Sequence, residues 1–277
     1  MRWYEAVFYG ILQGLTEFLP VSSSGHLAIT QELLGSELDS TGRLGFGVFL
    51  HLATLLAVLL VYRRDAAALV KGSFTLVLKI IRGKARWKSL ESNERLALCV
   101  LTATLTMIPA AFVDDALGVL SSSLLVVGIC LMLNSVILWF SDVLGRSDKD
   151  MSRLTPKNAF LTGLCQLLAL LPGISRSGST VTGMLWQNFD RESAVRFSFI
   201  MSIPAILGAC VLELPETFSR GITKSELLVY AIGALAAAIT AILAMKLLGY
   251  ISKKSNFRIF SYYCAALGLA VAVKALL

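Results

Sequence analysis

The sequence predicts an all-α polytopic membrane protein with about six spanning helices and two re-entrant helical hairpins, arranged as an inverted-topology repeat. Three observations predict it. Of the 277 residues, 56% are hydrophobic and only 16% charged, and the mean hydropathy is +0.74, a balance that soluble domains do not show. Six apolar runs approach the roughly 20 residues that a helix needs to cross a bilayer. Two further stretches are apolar on their flanks and broken at their centres by Pro, Gly and Ser. The formal charge of +7 therefore bears on membrane orientation and gives no reason to expect nucleic acid.

Residues 1–43 form the first broken stretch. Its motif is Gln13-Gly-Leu-Thr-Glu17-Phe-Leu-Pro20-Val-Ser22-Ser23-Ser24-Gly25-His26. Glu17 follows Gln13 by one helical turn, so the two side chains share a face. Pro20 ends that helix, and Ser-Ser-Ser-Gly supplies hydroxyls and flexible backbone. Glu5, Gln13 and Glu17 interrupt the apolar run, and no small-residue cleavage site follows, so the segment is expected to stay attached rather than act as a signal peptide. The spans are 44–62, 96–113, 124–141, 195–213, 227–248 and 258–277. Between the first two, Val70, Phe74, Val77, Leu78 and Ile81 recur at helical spacing among Lys71, Lys79 and Arg82. That pattern predicts an amphipathic helix on the cytoplasmic surface within the basic stretch 63–95. Cys99, Cys130, Cys165, Cys210 and Cys264 have no metal-ligand spacing and read as small core residues.

Basic residues place loops 63–95, 142–158 (Arg146, Lys149, Arg153, Lys157) and 253–258 inside, and Asp114-Asp115 outside. The spans of the two halves, approximately 1–141 and 159–277 of one integral-membrane domain (1–277), then run in opposite senses. Gln13, Ser22, Ser24 and Gly25 match Gln166, Ser175, Ser177 and Gly178 at a common shift, 166 − 13 = 153. With that orientation, 1–43 and 159–194 each begin and end on one side, and they would meet near the midplane as re-entrant hairpins.

The second hairpin carries Leu171-Pro172-Gly173-Ile174-Ser175-Arg176-Ser177-Gly178-Ser179-Thr180. A guanidinium in an apolar setting needs an anion, either a fixed carboxylate such as Glu17 or a substrate. With Ser175, Ser177, Ser179, Thr180 and the N–H groups of the following helix, Arg176 suits a phosphate or pyrophosphate. No Gly-Lys-Ser/Thr marks a Walker loop. Glu17 could hold a divalent cation, with Gln13 as a neutral oxygen ligand, or act as a base. His26 suits a nucleophile or acid–base role. Ser22, Ser23 and Ser24 either cap the next helix or meet phosphate. His51, with no polar neighbour in sequence, reads as structural.

The two motifs together resemble the undecaprenyl pyrophosphate phosphatase family of the bacitracin-resistance type, over essentially the whole chain. The resemblance implies an enzyme of the bacterial cytoplasmic membrane that removes the terminal phosphate of the undecaprenyl carrier lipid and regenerates the monophosphate for peptidoglycan synthesis. It carries the acidic motif onto Gln13 and Glu17, the serine–histidine motif onto Ser22 to His26, and the arginine motif onto Pro172 to Thr180. Many relatives have Glu where this chain has Gln13, which lowers the negative charge of the site. The catalytic set expected is Glu17, Ser23, His26 and Arg176. Gln13, Ser22, Ser24, Ser175, Ser177, Ser179 and Thr180 are expected to bind substrate. Mg²⁺ or Ca²⁺ is expected on Glu17 and Gln13. The nucleophile (His26, Ser23 or water) stays open, and the site is expected to face outward, near Glu32, Glu37 and Asp39. A lipid-carrier flippase or anion exporter would use the same inverted-repeat layout without bond cleavage. Gly128, Gly208, Gly233 and Gly268 suit close helix packing, within one chain or in a homodimer.

Overall fold

The computed structural model describes residues 1–34, 40–109, 120–144, 148–219, 221–254 and 257–277. Glu37, Asp39, Asp114, Asp115 and Arg146, used above to orient loops, lie outside the described residues, as does the end of the span 96–113. The helices are α1 (Trp3–Phe18), α2 (Ser23–Leu34), α3 (Ser40–Val61), α4 (Arg63–Ile81), α5 (Ser92–Leu105), α6 (Leu124–Leu144), α7 (Pro156–Leu167), α8 (Arg176–Trp186), α9 (Arg191–Ser219), α10 (Lys224–Lys254) and α11 (Arg258–Leu276). Among the described residues, α6, α9, α10 and α11 are each long and apolar enough to cross a membrane, and α3 with α4 forms a bent fifth candidate. The chain is a multi-pass helical membrane protein.

The packing is that of a protein solvated by lipid. Ile129, Leu133, Val136, Phe140 and Val143 follow one another along the exposed face of α6, while Asn134, Ser135 and Ser141 are buried on the other. Apolar side chains face out because hydrocarbon accepts them, and polar ones turn in to find partners.

The first junction differs from a simple span followed by a loop. At Tyr62 the chain bends by 94° between α3 and α4. If α3 crosses the bilayer, α4 runs nearly parallel to its plane. One face of α4 is buried at Ala66, Gly72 and Leu76, packed on α5. A second face exposes Val70, Phe74, Val77 and Ile81. That arrangement suits an interfacial helix. The amphipathic element ends at Ile81, and residues 82–91 are irregular apart from a short 3₁₀ turn at Trp87–Ser89. Lys79 then reaches back to Glu94, 2.7 Å away, which ties the end of α4 to the start of α5.

Exchanging the two halves pairs α1 with α7, α2 with α8, α3 with α9, α5 with α10 and α6 with α11. Under that exchange the packing of α1 on α10 becomes the packing of α7 on α5, and the α3–α9 and α6–α11 contacts each map onto themselves. The α6–α11 crossing is made by two glycines. A Cβ on Gly128 would stand 2.8 Å from the Gly268 carbonyl, and one on Gly268 would stand 2.7 Å from that of Gly128. Gly10 and Gly163, separated by the same shift of 163 − 10 = 153, occupy the α1–α10 and α7–α5 crossings.

Gly14 is packed still closer, since a Cβ there would lie 2.1 Å from Thr240 Oγ1 and 2.3 Å from the Ala237 carbonyl. Gly14→Ala should therefore destabilise the protein by about 1–3 kcal/mol through overpacking, read as a lower melting temperature in detergent. Gly47→Ala, where a Cβ would meet nothing within 4 Å, is the control and should not lower it.

Candidate active site

The site forms where α1 and α7 stop. α1 ends at Phe18, just before Pro20, and α2 restarts at Ser23. Ser22 takes a left-handed conformation, φ 72°, which costs a non-glycine residue of order 1–3 kcal/mol. It also hydrogen-bonds the new helix, accepting from Gly25 N at 3.2 Å. The second hairpin repeats the device. Ser175 caps α8 by accepting from Gly178 N at 3.1 Å. Ser22 and Ser24 are paired by their hydroxyls at 3.2 Å, and Ser175 and Ser177 at 3.1 Å. Three of the positions matched by sequence shift thus make the same local bonds in both hairpins.

The two breaks touch. A Cβ on Gly25 would lie 3.1 Å from Gly173 Cα, and Ser177 Oγ donates to the Leu19 carbonyl at 3.2 Å. Gly173, at φ 108°, can only be glycine, because a Cβ would also lie 2.6 Å from the Val127 carbonyl. Asn134, fully buried on α6, clamps both breaks. Its Nδ2 donates to the Pro20 carbonyl at 3.0 Å, and its Oδ1 accepts from Ser175 N at 3.0 Å. Sequence reasoning missed Asn134. Its signal was an amide alone in the apolar run Leu-Met-Leu-Asn-Ser-Val-Ile-Leu.

This contact joins the chemistry-bearing groups. Arg176 Nη2 pairs with Glu17 Oε1. The other carboxylate oxygen, Oε2, accepts from Gln13 Nε2 at 3.0 Å and from Ser23 Oγ at 2.8 Å. Ser23 and Arg176 are themselves equivalent under the shift of 176 − 23 = 153, so Glu17 is approached by the same position of both hairpins. Two helix N-termini, of α2 and α8, begin at these residues and favour negative charge there. Glu17 is 8% exposed, whereas the Arg176 side chain is 20% exposed, Ser23 is partly exposed and Ser24 is exposed. The site therefore opens along the Ser23–Ser24–Arg176 edge.

Other expected residues stand apart from that edge. Ser175, Ser177, Ser179 and Thr180 are buried, and three of them bond within the protein. Ser175 and Ser177 do so as described above, and Thr180 Oγ1 bonds the Arg176 carbonyl at 2.8 Å and Ser198 Oγ at 2.6 Å. Among the described residues Ser179 Oγ has no partner. His26 lies one turn beyond Ser23 on α2. Its Nδ1 is 2.7 Å from the Ser22 carbonyl, and its Nε2 is 2.7 Å from Tyr263 Oη. The contact of His26 with Tyr263 was not legible in the sequence.

The donor set fits a divalent cation only in part. Gln13 Oε1 is buried and unpartnered, as a vacant neutral oxygen ligand would be. Glu17 is the carboxylate that accepts its amide, and Arg176 already engages it. Among the described residues no cluster of three His, Cys, Asp or Glu could hold a metal. Hard cations want six or more oxygens, so the remaining ligands would be diphosphate oxygens and water.

The comparisons point one way. Residues 6–270 match the family described as bacitracin resistance protein BacA. The chain is 36% identical over 276 residues to an undecaprenyl-diphosphatase of Halothermothrix orenii, covering 99% of each. It is 37% identical over 278 residues to one of Alkaliphilus metalliredigens, covering 100% of each. It is 39% identical over 271 residues to one of Methanobrevibacter smithii, covering 96% of this chain and 95% of that protein.

Proposed function

Because the chain belongs to the bacitracin resistance protein BacA family, we propose that the cluster of Gln13, Glu17, Ser23 and Arg176 is where it acts on its lipid substrate. The chain is an undecaprenyl-diphosphatase. It hydrolyses undecaprenyl diphosphate to the monophosphate and inorganic phosphate, which recycles the cell-wall lipid carrier and underlies bacitracin resistance.

The observation that carries the assignment is the shared carboxylate. Glu17 accepts from Ser23 Oγ at 2.8 Å while its other oxygen holds Arg176. Ser23 is thus the hydroxyl with a base attached, the arrangement of an activated nucleophile. In-line attack of Ser23 Oγ on the terminal phosphorus forms an O–P bond and breaks the bridging P–O bond. The serine proton passes to Glu17, and undecaprenyl monophosphate leaves. Water then cleaves the phosphoserine and releases inorganic phosphate, with the imidazole of His26, on the same face of α2, serving that second half. Arg176 and the N-termini of α2 and α8 neutralise charge on the transferred phosphoryl oxygens, where catalytic power in such reactions mainly resides. Ser24 lies at the rim, while Ser22, Ser175, Ser177 and Thr180, all buried, hold the two breaks in register.

Mg²⁺ or Ca²⁺ would be held by Glu17 and Gln13 Oε1 together with the diphosphate. It would supply Lewis-acid charge neutralisation. The prenyl chain lies among the apolar outer faces, and the halves are inverted copies placing both hairpins at the midplane of the bacterial cytoplasmic membrane. The accessible edge faces the outer side.

The test is rapid quenching of purified protein in detergent with prenyl diphosphate labelled on the terminal phosphate. Label should appear on Ser23 and then as free phosphate, with Ser23→Ala forming neither. Chelator should slow release, and Mg²⁺ or Ca²⁺ should restore it. Free phosphate without any label on the wild-type protein would transfer the attack to water. Bound, intact substrate with no release would overturn the hydrolytic assignment of this cluster.

A further inference from the structure

The geometry points to Tyr263, on α11, as a positioning residue for His26. The two residues are 237 positions apart in sequence, and no motif includes Tyr263. The Ser22 carbonyl beside Nδ1, at 2.7 Å, can only accept, so Nδ1 carries a proton. In the neutral ring Nε2 is then a lone pair, and the group 2.7 Å from it is the Tyr263 hydroxyl, which donates. The rings are also nearly parallel, with centroids 5.6 Å apart and planes within 9°. His26 is thereby held at both nitrogens, by elements of both halves of the chain.

Three consequences separate this from ordinary packing. First, the imidazole is kept in one tautomer, with the proton-accepting atom fixed in direction. Second, that atom is capped by a single hydroxyl donor, the position that the donor of a proton to His26 must take over during the reaction. Third, Tyr263 is 47% exposed, so the phenol can leave Nε2 without unpacking the core. His26 itself is only 7% exposed and cannot turn toward an incoming group by itself. Tyr263 acts through His26 and has no assigned contact with the phosphoryl group.

The inference rests on the role given to His26 above, and its test separates the two. Tyr263→Phe keeps the ring and removes the hydroxyl. Loss of one such hydrogen bond should lower kcat about tenfold with KM unchanged. In a His26→Gln background the same change should have no further effect, because the two residues act as one unit. The chain has only two histidines, so the ring nitrogens of ¹⁵N-histidine-labelled protein can be assigned with a His51→Gln spectrum. The unprotonated Nε2 resonance of His26 should move downfield in Tyr263→Phe as its hydrogen bond is lost. An unchanged Nε2 resonance, or an unchanged kcat in Tyr263→Phe, overturns the positioning role. Full activity in His26→Gln overturns instead the role of His26 itself, whatever the resonance does.

Discussion

Arg176→Ala should reduce phosphate release from a prenyl diphosphate by about 10³-fold or more, the scale on which one strong charge-stabilising donor contributes to a transition state. The loss should fall on kcat more than on KM, because charge spreads over the phosphoryl oxygens only as the bond breaks. Arg176→Lys should recover little of it. Lysine presents a point charge where the guanidinium reaches Glu17 Oε1 while leaving other N–H groups for a phosphate. Alanine also leaves Glu17, 8% exposed, without its cation. A buried pair broken on one side costs about 3–5 kcal/mol. Steady-state rates are therefore to be measured beside a melting curve in the same detergent, and a stable Arg176→Ala protein of wild-type activity would remove Arg176 from the reaction.

Glu17→Gln is the second large effect. The substitution is isosteric and keeps an acceptor for Ser23 Oγ, which lies 2.8 Å from Oε2, but it removes the base. The rate should fall by about 10²–10⁴, the contribution of a positioned acid–base group. The amide also cannot neutralise Arg176, so substrate should bind as tightly or more tightly while turning over slowly. Quenched-flow measurement of phosphoserine formation should show the first step as the slow one. A Glu17→Gln enzyme that forms phosphoserine at the wild-type rate would sink the assignment of Glu17 as base.

Much of this site was legible because its information is local. Gln13 and Glu17 are one turn apart and bond as that spacing requires. Pro20 marks the end of α1, and Ser175 caps α8. The matched shift between the motifs reappears as matched hydrogen bonds. The Glu17–Arg176 pair, 159 residues apart, was weighed only because two charges in apolar surroundings must find each other. What escaped is non-local and chemically quiet. Asn134 looks like one polar interruption in a spanning helix, and Tyr263 like an interfacial aromatic. Nothing periodic announces that they meet the Pro20 carbonyl and His26 across more than 100 positions. The turn at Tyr62 was legible in outline, since the span ends where Arg63, Arg64 and Asp65 begin, and only its angle of 94° was not. The buried hydroxyls of Ser175, Ser177 and Thr180 illustrate the opposite difficulty. Residue type suggested ligand donors, and only geometry shows that protein acceptors already use them.

The Glu17–Arg176 contact also sets the terms of traffic through the site. With its cation already matched by an internal anion, the resting enzyme does not attract every phosphate at the membrane surface indiscriminately. An incoming headgroup would take the N–H groups of Arg176 that Glu17 leaves open, so entry would be a competition between two anions for one cation. A diphosphate, carrying more charge than a monophosphate, wins that competition more readily. Once its terminal phosphate is gone, the shortened lipid competes less well, and the carboxylate's standing hold on the cation helps to evict it. One ion pair thus works as a discriminator on the way in and as a spring-loaded release on the way out.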